Sequence, residues 1–269
     1  MKKRISKLPL LASATAIALI SHASIAADWS DTEVQLLHGT KYHDNGNDTD
    51  ITKTLVTIQH VSGHEYGRNF FFVDTYKSDS KDANSTEIYG EFYSTLSLGK
   101  TAGFSTAPGS LIKDLGLTAG INYGTKNSTL RPNPKVLMLG PTIDLNIPGF
   151  TFFNVDILAY RDSGSFNGNG GGKLCGETAT SYQITPAWKM PFTLGSESFS
   201  FEGFVDFIGS HGTCATQVLA QPQLRWDVGR HFTKPNRVHL GFEYQYWNNK
   251  FGIQDRKDNL FQLMMVFKL

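Results

Sequence analysis

The sequence is poor in several things, and each shortage closes off a class of protein. It has only two cysteines, Cys175 and Cys214, so one disulfide is the most it can carry. Charged residues make up 18%, below the usual quarter. The formal net charge is +1, which supplies no polybasic surface and speaks against nucleic acid as a partner. After the first residues, no segment reaches the ~20 apolar residues of a membrane helix. No run of ten or more residues shows a clear 3.6-residue period either, so amphipathic helices are missing as well.

What is present points elsewhere. Glycine numbers 26, phenylalanine 19 and tyrosine 10, a mix suited to an all-β chain with aromatic surfaces. The chain opens with a basic Met1-Lys2-Lys3-Arg4, then "LPLLASATAIALI", then small residues ending at Ser24 and Ala26. That order is expected of a secretory signal peptide covering 1–26, which leaves a single exported domain of 27–269. An exported chain with two cysteines in loop-like stretches, "GGKLCGET" and "SHGTCATQ", is expected to join Cys175 to Cys214.

Apolar residues recur at every second position between clusters of Gly, Pro, Asn and Asp, the mark of strands with one apolar face. Twelve strands are expected, at 32–43, 51–62, 68–78, 86–98, 112–124, 136–147, 150–162, 181–194, 199–210, 218–229, 237–249 and 260–269. Connections alternate between tight ("HEYG", "PG", "GSES") and long and polar ("DNGNDTD", "DSKDANS", "KNSTLRPNP"). Strands of 11–13 residues, short turns at one end and long loops at the other predict an antiparallel transmembrane β-barrel of about 12 strands in the outer membrane of a Gram-negative bacterium. One connection departs from the rule: "GKTAGFSTAPGS", 99–111, is long at the short-turn end and is expected to hold a helix or a plug. In the last segment, "NLFQLMMVFKL", Phe261, Leu263, Met265 and Phe267 share one face. That face is expected to meet outer-membrane lipid and to be gripped by barrel assembly machinery.

With apolar faces toward lipid, alternation sends the other face into the lumen. The candidate solute contacts are Phe72, Asp74, Tyr76, Glu91, Tyr93, Asp156, Tyr160, Glu202, Asp206, Arg225, Glu243 and Trp247. Aromatic faces stack on ring-shaped solutes, and carboxylates accept hydrogen bonds from their hydroxyls. The alternative use of such carboxylates is to brace the wall through Arg161, Lys189, Arg225 or Lys268. No cofactor is expected. "YHDNGNDTD" looks like a calcium loop but has Gly46 where the EF-hand spacing needs a third-position ligand, so no metal is assigned.

"ADWSD", "RNFFFVDTY", "TEIYGEFYSTLSLGK", "IKDLGLTAGINYG" and "FQLMMVFKL" together resemble the Tsx-type nucleoside-specific channels and the related OmpK-like outer-membrane proteins. The resemblance implies a monomeric twelve-stranded barrel with a narrow, keyhole-like pore that passes nucleosides, with Asp74 and Glu87 or Glu91 in the lumen. Two other classes stay open. One is a sealed barrel whose loops act as an adhesin or a bacteriophage receptor. The less favoured one is an outer-membrane phospholipase, for which Ser210 beside His211 is the only adjacent Ser–His pair in the loops.

Overall fold

The computed structural model describes residues 27–44, 49–128, 131–166, 172–176 and 179–269. The expected leader and the centre of the Gly-rich loop lie outside the described residues. Period-two patterning becomes twelve strands: β1 (Trp29–Tyr42), β2 (Ile51–His64), β3 (Gly67–Ser78), β4 (Thr86–Ser97), β5 (Ile112–Lys126), β6 (Lys135–Leu145), β7 (Phe152–Asp162), β8 (Ala179–Leu194), β9 (Glu197–Ile208), β10 (Gln217–Ala220 and Gln223–Asp227), β11 (Val238–Asn248) and β12 (Lys257–Lys268). Each pairs antiparallel with its sequence neighbours, and β1 pairs with β12 from Glu33 opposite Lys268 to Gly39 opposite Gln262. The ladder is therefore a closed twelve-stranded barrel with no free edge, the form a sheet must take in hydrocarbon.

Strand β10 is broken at Gln221 and Pro222, because proline has no N–H to give the ladder. Its neighbour adapts: Gly203 on β9 takes φ +149, and a Cβ there would lie 2.4 Å from the Gln221 carbonyl oxygen. After Asp227 the chain turns into a 3-10 helix, Gly229–His231, instead of continuing to 229. The short-turn end thus carries two long connections, 98–111 and 228–237. The first contains the short helix Leu98–Ala102, and none of its residues lines a cavity of the lumen, so the expectation of a helix is met and that of a plug is not.

The outward face is apolar. Leu36, Ile58, Val73, Phe92, Leu117, Leu139, Ile157 and Phe242 are all exposed, and on β12 Phe261 and Leu263 reach 64% and 73% exposure. In water such a surface would be an aggregation hazard; against lipid it is the spanning belt. Aromatics mark its rims. At the short-turn end Phe192, Phe199 and Trp226 stack in a row, with centroids 5.5 and 6.4 Å apart. Tyr123 and Tyr182 are exposed near the long-loop end.

Candidate functional site: the barrel lumen

All twelve sequence-derived candidates line one of two cavities stacked along the barrel axis. The cavity toward the short turns is about 460 Å³ and includes Tyr93, Asp156, Glu202, Arg225 and Glu243. The one toward the long loops is about 100 Å³ and includes Tyr76, Tyr160 and Trp247. Phe72, Asp74, Glu91, Phe204, Asp206 and Gln221 line both and form the waist between them. Twelve strands leave little free bore once side chains fill in, and these six residues stand where the two cavities meet.

The waist carboxylates have polar but uncharged partners. Asp74 accepts from the Thr57 hydroxyl at 2.6 Å and from the Tyr76 hydroxyl at 3.0 Å. Glu91 accepts from the Asn122 amide at 2.9 Å and from the Tyr89 hydroxyl. Asp206 accepts from the Thr185 hydroxyl and from the Gln183 amide at 3.1 Å. Just below, Glu243 is ringed by the amides of Gln223, Gln262 and Gln221 at 2.6, 2.7 and 3.1 Å. Among the described residues none of these four forms an ion pair. The aromatic rings are close by: Phe72 contacts Phe70 and Tyr89 with centroids 6.1 and 6.0 Å apart. Among the described residues, nine carboxylates and five cationic side chains line the two cavities, an excess of acidic groups.

Below the waist Glu33, Glu202 and Asp144 are paired with cations, whereas Glu243 and Asp156, which accepts from the Thr142 hydroxyl at 2.6 Å, have neutral partners. Arg225 on β10 grips Glu33 on β1 with two parallel bonds of 3.0 and 2.9 Å, and it lies 3.5 Å from Glu202. Lys189 reaches Glu202 at 3.1 Å, and Arg68 grips Asp144 at 2.7 and 2.8 Å. The expected bracing role thus falls to Lys189 and Arg225. Lys268 instead pairs with Asp31 at the rim, and Arg161 points outward, exposed.

The outer mouth holds an element that alternation gave no sign of. After β1 the chain turns inward and buries Asp44. Its carboxylate meets three buried ammonium groups, Lys53 of β2 at 2.8 Å, Lys250 of the β11–β12 loop at 3.0 Å, and Lys126 of β5. Lys126 also pairs with Asp82 at 2.7 Å, Lys53 with Glu87 at 3.3 Å and Lys250 with Asp258 at 2.6 Å. The Lys53 and Lys250 ammoniums also sit over the Tyr42 ring, 5.3 and 5.9 Å from its centre. Burial would push the Asp44 carboxyl up, but the charges of Lys250, Lys53 and Lys126 hold it well below the usual carboxylate range. Glu33, Lys53 and Lys126 were readable as inward-facing positions from strand parity. The inward fold of the loop that carries Asp44 had no signal in the sequence.

Cys175 and Cys214 are joined in a disulfide, which ties the β7–β8 loop to the β9–β10 loop.

No family model matches the chain, and no curated protein matches it either. Solved structures do resemble it. The translocator domain of the autotransporter NalP from Neisseria meningitidis aligns over 95% of this chain and 93% of its own, at 12% identity and a TM-score of 0.43. The NanC porin aligns over 88% of this chain and 100% of its own, at 9% identity and a TM-score of 0.49. The KdgM porin aligns over 88% and 99%, at 6% identity and a TM-score of 0.43.

Proposed function

We propose that this chain is a channel of the Gram-negative outer membrane through which small hydrophilic solutes diffuse, with neutral and cationic solutes favoured over anions and nucleosides the first candidates. The observation that carries this reading is the waist: Asp74, Glu91 and Asp206, none with a cation beside it, stand between two cavities inside a barrel whose outer face is apolar. Carboxylates freed from wall bracing attract cations and repel anions in their ionised form. They also accept hydrogen bonds from sugar hydroxyls, while Phe72, Phe204 and the tyrosines offer faces to a base. Passage needs such contacts to be weak, and nothing in this reading calls for a catalytic step or a cofactor. Export by the 1–26 leader and grip by assembly machinery on β12 belong to the same reading.

Single-channel recording of the refolded chain from Ala27 tests it. Small, steady, cation-preferring openings that adenosine or thymidine blocks support the full reading. Openings indifferent to nucleosides keep the channel and remove the substrate class, and anion preference removes the role given to the waist. A second reading is favoured by the Asp44 cluster, which ties β2, β5 and the β11–β12 loop together at the outer mouth: a sealed barrel whose loops present a surface to phage or host. Silence from folded protein would select it.

A further inference from the structure

The disulfide between the two outer loops lies in a pocket whose other groups are all electron-rich. His211 beside it has a fully buried side chain. Its Nδ1 lies 2.9 Å from the Gly209 carbonyl oxygen, which can only accept, so Nδ1 carries a hydrogen. In the neutral imidazole Nε2 then holds the lone pair, and in the imidazolium it donates to Asp162. Nε2 faces the Cys175 Sγ at 3.2 Å and the Asp162 Oδ2 at 3.4 Å, and those two atoms are 3.3 Å apart. A disulfide sulfur and a carboxylate supply no proton to an imidazole lone pair. The backbone holds this convergence in place: the Thr213 N–H donates to the Cys175 carbonyl at 2.9 Å, and at Gly212 (φ +53) a Cβ would lie 1.9 Å from that same oxygen.

We propose that Cys175, Cys214, His211 and Asp162 form a zinc site once the disulfide is reduced to a dithiol, so that a metal cross-link replaces the covalent one between the same two loops. Ligand atoms of a tetrahedral zinc centre, at bond lengths of about 2.0–2.3 Å, lie roughly 3.3–3.8 Å from one another. The three contacts above already sit at the short edge of that range. The Cys214 sulfur lies within 4.8 Å of the Cys175 and His211 ligand atoms, and breaking the S–S bond frees it to move to its own vertex. A backbone carbonyl holding the far ring nitrogen is the usual support of a ligating histidine, and a set of two thiolates, imidazole and carboxylate suits zinc. A dithiol gives up two electrons and two protons and becomes a disulfide. A phosphine gives up two electrons and becomes the phosphine oxide, water supplying its oxygen and the two protons. Either way S–S breaks and two S–H form. Zinc then displaces both protons as the sulfurs ligate as thiolates.

The test is metal retention by the folded barrel in detergent, reduced with a phosphine, given zinc chloride or cobalt chloride and then desalted. Reduced protein is expected to keep one ion per chain and, with cobalt, to show thiolate-to-metal absorption, while oxidised protein keeps none. His211→Ala and Asp162→Asn leave both cysteines in place, so their oxidised forms report folding independently. Their reduced forms should bind zinc at least ~10-fold more weakly, since even outer-shell changes cost that much. Two results would overturn the site: reduced, folded protein that retains no zinc, or a His211→Ala variant that binds as tightly as the parent.

Discussion

Asp44 and Asp206 are both buried aspartates of one lumen, about as hidden from solvent as each other at 5% and 6% exposure, yet they are held in opposite ways. Asp44 has three ammonium groups around it. Asp206 has a hydroxyl and an amide. The first arrangement spends its charge inside the protein and fastens strands and a loop together. The second leaves a carboxyl without a cation for whatever enters the pore. Burial and residue type alone therefore do not separate a brace from a filter; the presence of a neighbouring cation does.

Breaking a brace should have the largest effect. Arg225→Gln strands Glu33 and loosens Glu202, and removal of one partner from a buried pair costs about 3–5 kcal/mol. The expected result is a large fall in the unfolding midpoint, read from the gel mobility of unheated against heated barrel. Asp44→Asn should cost less, about 1.5–3 kcal/mol for lost bonds to charged groups, because each of its three lysines keeps a second carboxylate, and it should raise conductance by loosening the ties at the outer mouth. Asp206→Asn is the converse case. It should leave stability nearly unchanged and, at a pH where Asp206 is ionised, lower the cation-to-anion permeability ratio by up to about 7-fold, since one charge roughly 7 Å away in a watery lumen is worth about RT to each ion with opposite sign. If Arg225→Gln changed selectivity alone, or Asp206→Asn unfolded the barrel, the division between brace and filter would fail.

The smallest effect is the one with pH near neutrality. Asp44 titrates below its unfolded value of about 3.9, so its stabilisation is complete above that value and fades as pH falls below it. Release of the Asp44 brace should thus contribute nothing to conductance between about pH 5 and 8 and should raise it only below about pH 4. In Asp44→Asn that acid-induced rise should be absent. A parent pore that opened near neutrality would show that another group controls the mouth.

Much of the barrel was legible because period-two alternation is a local property. Phe72, Asp74 and Tyr76 on β3, or Glu202, Phe204 and Asp206 on β9, declare their face from spacing alone, and the structure sends them all inward. Strand ends were less legible. β10 stops at Asp227 because the next residues form a 3-10 turn, and its break follows from Pro222. The partners of the lumen charges could not be read at all. Nothing near Arg225 in the sequence marks Glu33, 192 residues away, as its mate.

The sequence by itself determined strand number, the inward or outward sense of each side chain and the loop cysteines, since these depend on neighbours one or two residues apart. Closure of the barrel decided the rest. It brought β1 beside β12 and set Arg225 against Glu33, and the infolded β1–β2 loop set Asp44 among lysines from three separate segments. The carboxylates at the waist were left without cations. Electrostatic partnership is a matter of distance in space, and only the closed sheet fixes which distant residues share the lumen.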